Sequence, residues 1–152
     1  MLCFRPADAA DLDVLFEMNR TLIEQYEDLG SIDLSRVLLW VRRKLEEKLP
    51  EYRAVFRNDE KVGYFRLFET DEGALEIDDL YILSPFRGQG VGTEIIRHCI
   101  AESERLQKPL MLYVFTRNIR AAALYERMGF VPSSIVSPTR QIMVRSCVAP
   151  LE

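Results

Sequence analysis

Three glycines at alternate positions, Gly88, Gly90 and Gly92, are the most distinctive chemical feature of this sequence. They follow an apolar segment rich in strand-forming residues, and from Val91 onward the apolar residues recur at helical spacing. A glycine-rich turn between a strand and a helix exposes backbone N–H groups, and the helix N-terminus adds unpaired donors and a positive dipole end. These features predict a phosphate-binding loop made of backbone, with Arg87 as an added positive charge.

The spacing of the glycines excludes the two commonest nucleotide-binding loops. A dinucleotide-binding fold requires G-x-G-x-x-G, and here the third glycine comes too early. A Walker A loop requires Gly-Lys followed by Ser or Thr, which this segment lacks. The residues expected to surround the phosphates are Arg87, Gly88, Gln89, Gly90, Val91, Gly92 and Thr93.

Three acidic residues, Glu76, Asp78 and Asp79, lie just before this loop in the same predicted strand. A carboxylate in a cleft can accept a proton from an incoming nucleophile. Alternation along a strand places Glu76 and Asp78 on one face and Asp79 on the other, unless a bulge intervenes. Each of the three could equally be a solvated charge at a strand edge.

The elements that position these residues follow from the spacing of apolar side chains. Residues 74–83 are predicted as the strand before the loop, Val91–Leu106 as the helix after it, and Leu110–Phe115 as the next strand. This succession predicts a right-handed crossover between two parallel, buried strands. The complete predicted order is β-α-α-β-β-β-α-β-α-β-β, an α/β (α+β) fold with a mixed sheet of about seven strands and four helices.

The second predicted helix carries its apolar residues over positions 34–45 on one face. Its charged face, which includes Lys44, is expected to be solvated, and Trp40 is expected to pack against neighbouring elements. Two late strands are predicted, over residues 130–131 and 140–148, with connections around residues 132–134 and 137–138.

The bulk composition limits the class of protein. At 152 residues, with 48% apolar and 29% charged residues, residues 1–150 are expected to form a single domain, and Leu151 and Glu152 are set aside as a cloning remnant. No apolar run is long enough for a membrane span and no signal peptide is evident. A net charge of −4 argues against a nucleic-acid partner. Three separated cysteines predict free thiols, no zinc framework and a cytoplasmic location.

Two spaced motifs, on the predicted elements and in the expected order, identify a family resemblance. Residues 87–92 follow the pattern R-x-x-G-x-G, and residues 118–130 follow N-x-x-A-x-x-L-Y-E-x-x-G-F. Together they resemble the GNAT superfamily, the acetyl-CoA-dependent N-acyltransferases. The predicted order of elements matches the GNAT arrangement through nearly the whole chain, so the resemblance implies a GNAT fold and acetyl-CoA as co-substrate.

The resemblance also implies roles for individual residues. The loop would bind the pyrophosphate, and Asn118 belongs to the expected cofactor site. Backbone groups of Leu80, Tyr81 and Ile82 would pair with the pantetheine arm as an added strand. The N–H of Ile82 or of a neighbour would polarise the thioester carbonyl. Tyr125 would give a proton to the leaving thiolate, although a half-buried helix aromatic is the structural alternative.

The resemblance gives the three acids two precedents. Glu76 aligns with the general base of histone acetyltransferases, and Asp78 with the glutamate of the E-D-x-x-V stretch of diamine acetyltransferases. A water chain ending on Glu76, Asp78 or Asp79 is the expected route for the proton of the amine. The acids over residues 69–79 hint at a cationic small-molecule acceptor.

The leading functional hypothesis is transfer of an acetyl group from acetyl-CoA to a primary amine by direct attack in a ternary complex. Two alternatives remain: a protein or peptide N-acetyltransferase, and a non-catalytic acyl-CoA-binding sensor on the same fold. Residues 26–31 are expected to border the acceptor site. No membrane partner is expected, and a homodimer is left open.

Overall fold

The computed structural model describes residues 1–147, which form a seven-stranded sheet and four α-helices. The strands are β1 (Leu2–Pro6), β2 (Tyr52–Arg57), β3 (Glu60–Glu69), β4 (Leu75–Ile82), β5 (Leu110–Phe115), β6 (Val131–Ser137) and β7 (Arg140–Arg145). The helices are α1 (Leu12–Tyr26), α2 (Leu34–Lys48), α3 (Val91–Leu106) and α4 (Ile119–Arg127). The predicted order of strands and helices, and with it the α/β (α+β) fold class, is confirmed.

The sheet places α1 and α2 on one face and α3 and α4 on the other. Its strand order is β1-β2-β3-β4-β5-β7-β6, and β4 and β5 form its parallel pair. A cluster that includes Leu15 of α1 and Leu45 of α2 packs under the first pair of helices. A second cluster that includes Ile95 and Ile96 packs under α3. No helix within residues 1–147 is long and apolar enough to cross a membrane.

Side-chain caps set several helix boundaries. Asp33 and Asn118 accept hydrogen bonds from first-turn backbone N–H groups of α2 and α4, which satisfies donors that a helix leaves unpaired. Asp8 caps a short 3-10 turn that leads into α1. Gly129 follows α4 with a φ of 96°, a left-handed conformation that glycine adopts without strain.

The strand boundaries differ from the prediction mainly near the C-terminus. Residues 132–134, predicted as a connection, belong to β6, which pairs antiparallel with β7 along its length. The last strand, predicted over residues 140–148, ends at Arg145. Val148, Leu151 and Glu152 lie outside the described residues.

Candidate functional site

The parallel strands β4 and β5 part in the middle of the sheet. They pair only from Leu75 opposite Leu110 to Ile77 opposite Leu112. Beyond that point β4 keeps its pairing with β3 and β5 keeps its pairing with β7. The two strands therefore diverge, and the edge of β4 that faces β5 has no partner strand within residues 1–147. A cleft of about 990 Å³ opens there and extends between α1 and α2.

A bulge in β4 changes which side chains face the cleft. Tyr64 of β3 pairs with Tyr81 and Arg66 with Asp78, so β4 has two residues between these pairs where β3 has one. Asp79 sits in this bulge with a φ of 50°, in the left-handed region. The bulge turns Asp79 to the same side as Asp78, because Lys44 of α2 pairs with both. Simple alternation, which places Asp79 opposite Asp78, is therefore wrong here.

The same bulge reverses the facing of the residues that follow it. Before it, the odd-numbered Leu75 and Ile77 pack in the core under α3. After it, the even-numbered Leu80 and Ile82 pack in that core, whereas Tyr81 packs in the core under α1 and α2. The bulge thus directs the carboxylates toward α2 while the strand end stays anchored in the opposite core.

Gly63 of β3 lies beside the strand end and allows the strands to approach closely. A Cβ atom at this position would lie 2.3 Å from the carbonyl oxygen of Tyr81. Any larger residue would therefore push β3 and β4 apart next to the bulge. Gly63 is a functional residue not singled out from the sequence, although an isolated glycine inside a strand pattern is a recognised sign of close backbone approach.

The carboxylate of Asp79 is buried and held by two tyrosines. Tyr52 donates its hydroxyl hydrogen to Asp79 at 2.5 Å, and Tyr81 does so at 2.9 Å. The Lys44 ammonium lies 3.6 Å from Asp79 and 2.5 Å from Asp78. Arg66 binds Asp78 from the other side at 3.0 Å. The cluster fixes both carboxylates at the floor of the cleft.

Burial and neighbouring charges shift the pKa values of this cluster. Burial raises the pKa of Asp79, and the charge of Asp78 adds to the rise. Burial would lower the pKa of Lys44, but the charges of Asp79 and Asp78 outweigh it and raise the pKa overall. Burial, with the charge of Asp78, also raises the pKa of Glu76 to about 7. Of the three predicted acids, Asp78 and Asp79 line the cleft and Glu76 does not.

Two predictions about α2 are wrong. Lys44, expected on the solvated face, is only 23% exposed in its side chain and is paired with the two aspartates. Trp40, expected to pack, is 64% exposed and lines the cleft. The helical spacing held the clue in both cases. Lys44 lies three residues after the core residue Val41, and Trp40 lies off the apolar stripe.

The glycine loop precedes α3 as predicted, and its glycines are open to solvent. Gly88 and Gly90 have φ values of 75° and 82°, and a Cβ on either would meet no other atom of the described chain within 4 Å. In α3 the N–H of Glu94 bonds to the carbonyl of Gly90, so the N–H groups of the preceding turn lack helical acceptors. The Val91 side chain is buried, which leaves its backbone as the group available to a ligand.

The side chains of the loop divide between the cleft and the scaffold. Arg87 lines the cleft and donates from Nε to the carbonyl of Ile82 at 3.1 Å. Gln89, predicted as a cofactor contact, accepts from Arg57 of β2 at 2.5 Å and donates to the carbonyl of Pro85 at 3.2 Å. Its side chain fastens the loop to the sheet. Gly92 and Thr93 lie in the first turn of α3, outside the cleft walls.

Tyr125 and Asn118 of the second motif stand on the other wall of the cleft. The Tyr125 ring meets Phe130 edge to face, with ring centroids 5.8 Å apart. Its hydroxyl has no hydrogen-bond partner among the described side chains and backbone. Burial raises the pKa of Tyr125 to about 12, so the phenol keeps its proton at neutral pH. Asn118 lines the cleft and also caps α4.

The structure thus gathers at one cleft most of the residues singled out from the sequence. Those that line it are Asp78, Asp79, Leu80, Tyr81, Ile82, Arg87, Asn118 and Tyr125. The other loop residues lie at the N-terminus of α3 beside it, and Glu76 lies behind it in β4. Lys44, Tyr52 and Gly63, which position the acids and the strand end, were not identified from the sequence.

Comparison with known proteins gives a consistent result. The sequence profile of the acetyltransferase (GNAT) family matches residues 15–130. The fold is similar to that of the PaiA N-acetyltransferase of Thermoplasma acidophilum, solved in complex with coenzyme A, at a TM-score of 0.71 and 18% identity over 96% of this chain and 99% of that one. It is similar to the ribosomal-protein-S18-alanine N-acetyltransferase of Escherichia coli at a TM-score of 0.68 and 19% identity, over 100% and 97% of the two chains. An acetyltransferase of Thermus thermophilus has a TM-score of 0.69 and 24% identity, over 95% and 96%.

Proposed function

The chain belongs to the acetyltransferase (GNAT) family, and we propose that it transfers an acetyl group from acetyl-CoA to a primary amine in a ternary complex. One observation carries the proposal. The edge of β4 is left free after Ile77, between the N-terminus of α3 and the side chain of Tyr125. That arrangement offers a strand edge for amide groups and a proton donor along the cleft, with donors for phosphates at the start of α3 beside it.

The donor side of the cleft fits the chemistry of acetyl-CoA. The molecule carries a pyrophosphate, an arm with amide groups and an acetyl thioester. The solvent-open N–H groups of the glycine loop and the positive end of α3 suit the pyrophosphate, and Arg87 adds a guanidinium. The free backbone edge of residues 80–82 suits the amides of the arm, in the manner of an added strand. We assign the cofactor site to Leu80, Tyr81, Ile82, Asn118 and the loop residues 87–93.

Backbone N–H groups at the bulge would polarise the thioester carbonyl. Because β4 has no pairing with β5 after Ile77, the strand edge near Leu80 and Ile82 is open to the cleft within residues 1–147. A preorganised donor of this kind is typically worth about 3–4 kcal/mol in the transition state. The anchoring of Asp79 by Tyr52 and Tyr81 keeps the donors in place without substrate present.

Tyr125 is proposed as the general acid. During transfer the amine nitrogen forms a bond to the carbonyl carbon, and the C–S bond breaks with its electron pair going to sulfur. Tyr125 supplies the proton that turns the thiolate into a thiol, and it recovers a proton from the product nitrogen through solvent. Of the three ammonium protons, one stays on the amide nitrogen, one replaces the proton of Tyr125 and one is released. A phenol that stays protonated at neutral pH is suited to this donation.

The Asp78–Asp79 pair is proposed as the group that takes the first proton from the ammonium. Both carboxylates line the cleft, and the positive charges of Lys44 and Arg66 offset the repulsion between them. The raised pKa of Asp79 makes it a stronger base than an ordinary carboxylate. Glu76, with a pKa of about 7, lies two positions before Asp78 in β4 and would accept the proton onward through water.

A combined binding and turnover experiment tests the proposal. Calorimetry should show acetyl-CoA binding at micromolar to low millimolar concentration, and no comparable binding of ATP or NAD. A thiol-release assay across polyamines, arylalkylamines, amino acids, aminoglycosides and peptides should then give turnover with at least one amine. Absence of acetyl-CoA binding at millimolar concentration would overturn the proposal. Binding without turnover on any amine would favour the non-catalytic sensor.

A further inference from the structure

Apolar side chains from both α1 and α2 line the cleft between these helices. Val14, Met18 and Leu22 of α1 line it opposite Val37 and Trp40 of α2. Trp40 is 64% exposed and lies one turn before the lysine that pairs with the two aspartates. The Lys44 ammonium lies 5.9 Å from the centre of the Trp40 ring. A large exposed aromatic side chain at the mouth of a cleft is an anchor for an apolar group of a ligand.

The carboxylates that line the cleft already have partners. Two of them, Asp78 and Asp79, are held by the lysine, arginine and tyrosines described above. Asp13 pairs with an arginine of α2 at 2.7 Å, and Glu17 pairs with an arginine one turn further along α1 at 2.5 Å. Glu27 accepts a hydrogen bond from Thr139. Five carboxylates and four cationic side chains line the cleft, so it lacks the excess negative charge that a polyamine would require.

The C-terminal end of α1 is tied across the cleft to the far half of the sheet. Thr139, in the turn between β6 and β7, donates to the carboxylate of Glu27. Arg117 donates to the backbone carbonyl of Glu27 at 3.3 Å. Tyr26 stacks on Phe115 of β5 with ring centroids 6.0 Å apart. These contacts link the C-terminal end of α1 to β5 and to the turn between β6 and β7 at one end of the cleft.

The geometry points to a specific acceptor class: a small primary amine with one ammonium group and an aromatic body, an arylalkylamine. The ammonium would reach the Asp78–Asp79 pair, and the ring would lie in the α1–α2 groove against Trp40. This inference rests on the proposed acetyl transfer and narrows its acceptor. Five carboxylates against four cationic side chains leave one negative charge in excess, which suits an amine with a single positive charge, and an aromatic ring suits the apolar side chains of α1 and α2.

The test compares three acceptors in the thiol-release assay at saturating acetyl-CoA: 2-phenylethylamine, spermidine and a hexapeptide with a free N-terminus. We expect kcat/KM for 2-phenylethylamine to exceed that for the other two by at least about 10-fold. The variant Trp40→Ala should raise KM for 2-phenylethylamine about 10-fold, with kcat changed less than about 3-fold. It should leave KM for n-propylamine, which has no ring, nearly unchanged.

Leu39→Ala is the matched control, because Leu39 is 51% exposed on the same helix and does not line the cleft. It should leave both KM values unchanged. The inference is overturned if spermidine or the peptide is the best acceptor, or if Trp40→Ala and Leu39→Ala behave alike. Calorimetry with acetyl-CoA distinguishes failure of the acceptor class from failure of the proposed acetyl transfer. Binding of acetyl-CoA with no turnover of 2-phenylethylamine overturns the acceptor class alone, whereas absence of acetyl-CoA binding overturns the proposed acetyl transfer.

Discussion

Removing the hydroxyl of Tyr125 tests the proposed chemistry with little disturbance of the fold. Tyr125→Phe deletes one oxygen, and the ring can keep its edge-to-face contact with Phe130. Because the hydroxyl has no hydrogen-bond partner within residues 1–147, no protein hydrogen bond is lost. The free energy of unfolding should therefore change by less than about 1 kcal/mol. The affinity for acetyl-CoA should also be retained.

The expected effect on catalysis is much larger. With a pKa of about 12, only about one Tyr125 side chain in 10⁴ is ionised near pH 8, so nearly every molecule can donate. Loss of a general acid typically costs about 10²–10⁴-fold in rate, which corresponds to about 3–5 kcal/mol of activation free energy. Below about pH 11, ionisation of Tyr125 should not produce an alkaline decline in the wild-type rate.

The measurement is the single-turnover rate of thiol release with the best acceptor, because product release can hide a slower chemical step. Tyr113→Phe is the matched control. Tyr113 also lines the cleft, is 39% exposed and carries its own phenol, with the Arg140 guanidinium 4.9 Å from its ring centre. The control should retain most activity. A Tyr125→Phe rate within about threefold of the wild-type rate would refute the acid assignment.

Three further predictions concern the strand end, the acid cluster and the loop. Gly63→Ala should lower the free energy of unfolding by about 1–3 kcal/mol and weaken acetyl-CoA binding in calorimetry, because the new Cβ would lie 2.3 Å from the carbonyl oxygen of Tyr81. Gly30→Ala, whose Cβ would have only ordinary contacts, is the control. Glu76→Gln should stabilise the protein relative to the wild type by about 1–2 kcal/mol near pH 8, a value reduced for solvent screening, and by almost nothing near pH 4. If the denaturation midpoints of the variant and the wild type differ by the same amount at both pH values, the burial argument is contradicted. The sign follows from the raised pKa of about 7: the native state holds this proton more tightly than the unfolded chain, so its contribution to stability falls as pH rises from about 4.5 to 7. Arg87→Ala should weaken coenzyme A binding about 10-fold in calorimetry. Arg97→Ala, which removes a positive charge from the exposed side of α3, should leave the affinity unchanged. An equal loss of affinity in both variants would show a general effect of charge and contradict a specific contact of Arg87.

The elements of the fold could be predicted because their signals are local. The apolar spacing after Gly90 defines α3, and the apolar run over Leu110–Phe115 defines β5, with the same bounds in prediction and structure. Asn118 indicates the start of α4 because a capping side chain bonds to backbone within one turn of its own residue. The glycine loop likewise lies in a contiguous stretch of sequence, so its place at the start of a helix could be predicted.

The partners of the acids could not be predicted, because they come from distant parts of the chain. Lys44 lies 34 positions before Asp78, and its spacing from Val41 places it at the edge of the apolar stripe without showing which residue it faces. Tyr52 reaches Asp79 from β2 across the sheet, 27 positions away. A charged residue at the edge of an apolar stripe is ambiguous in sequence, and only packing decides whether water or a carboxylate faces it.

The alternation of side chains predicted for β4 is wrong from the bulge at Asp79 onward, and this bulge determines which side chains face the site. One extra residue reverses the facing of all positions after it, so an error there misplaces every later side chain of the strand. A left-handed aspartate is strained, and such a conformation persists only where surrounding contacts hold it. Here those contacts are Tyr52, Tyr81 and Lys44. Because the same carboxylate is both the anchor of the bulge and a member of the proposed base, the geometry of the thioester site and the acceptance of the amine proton depend on one residue.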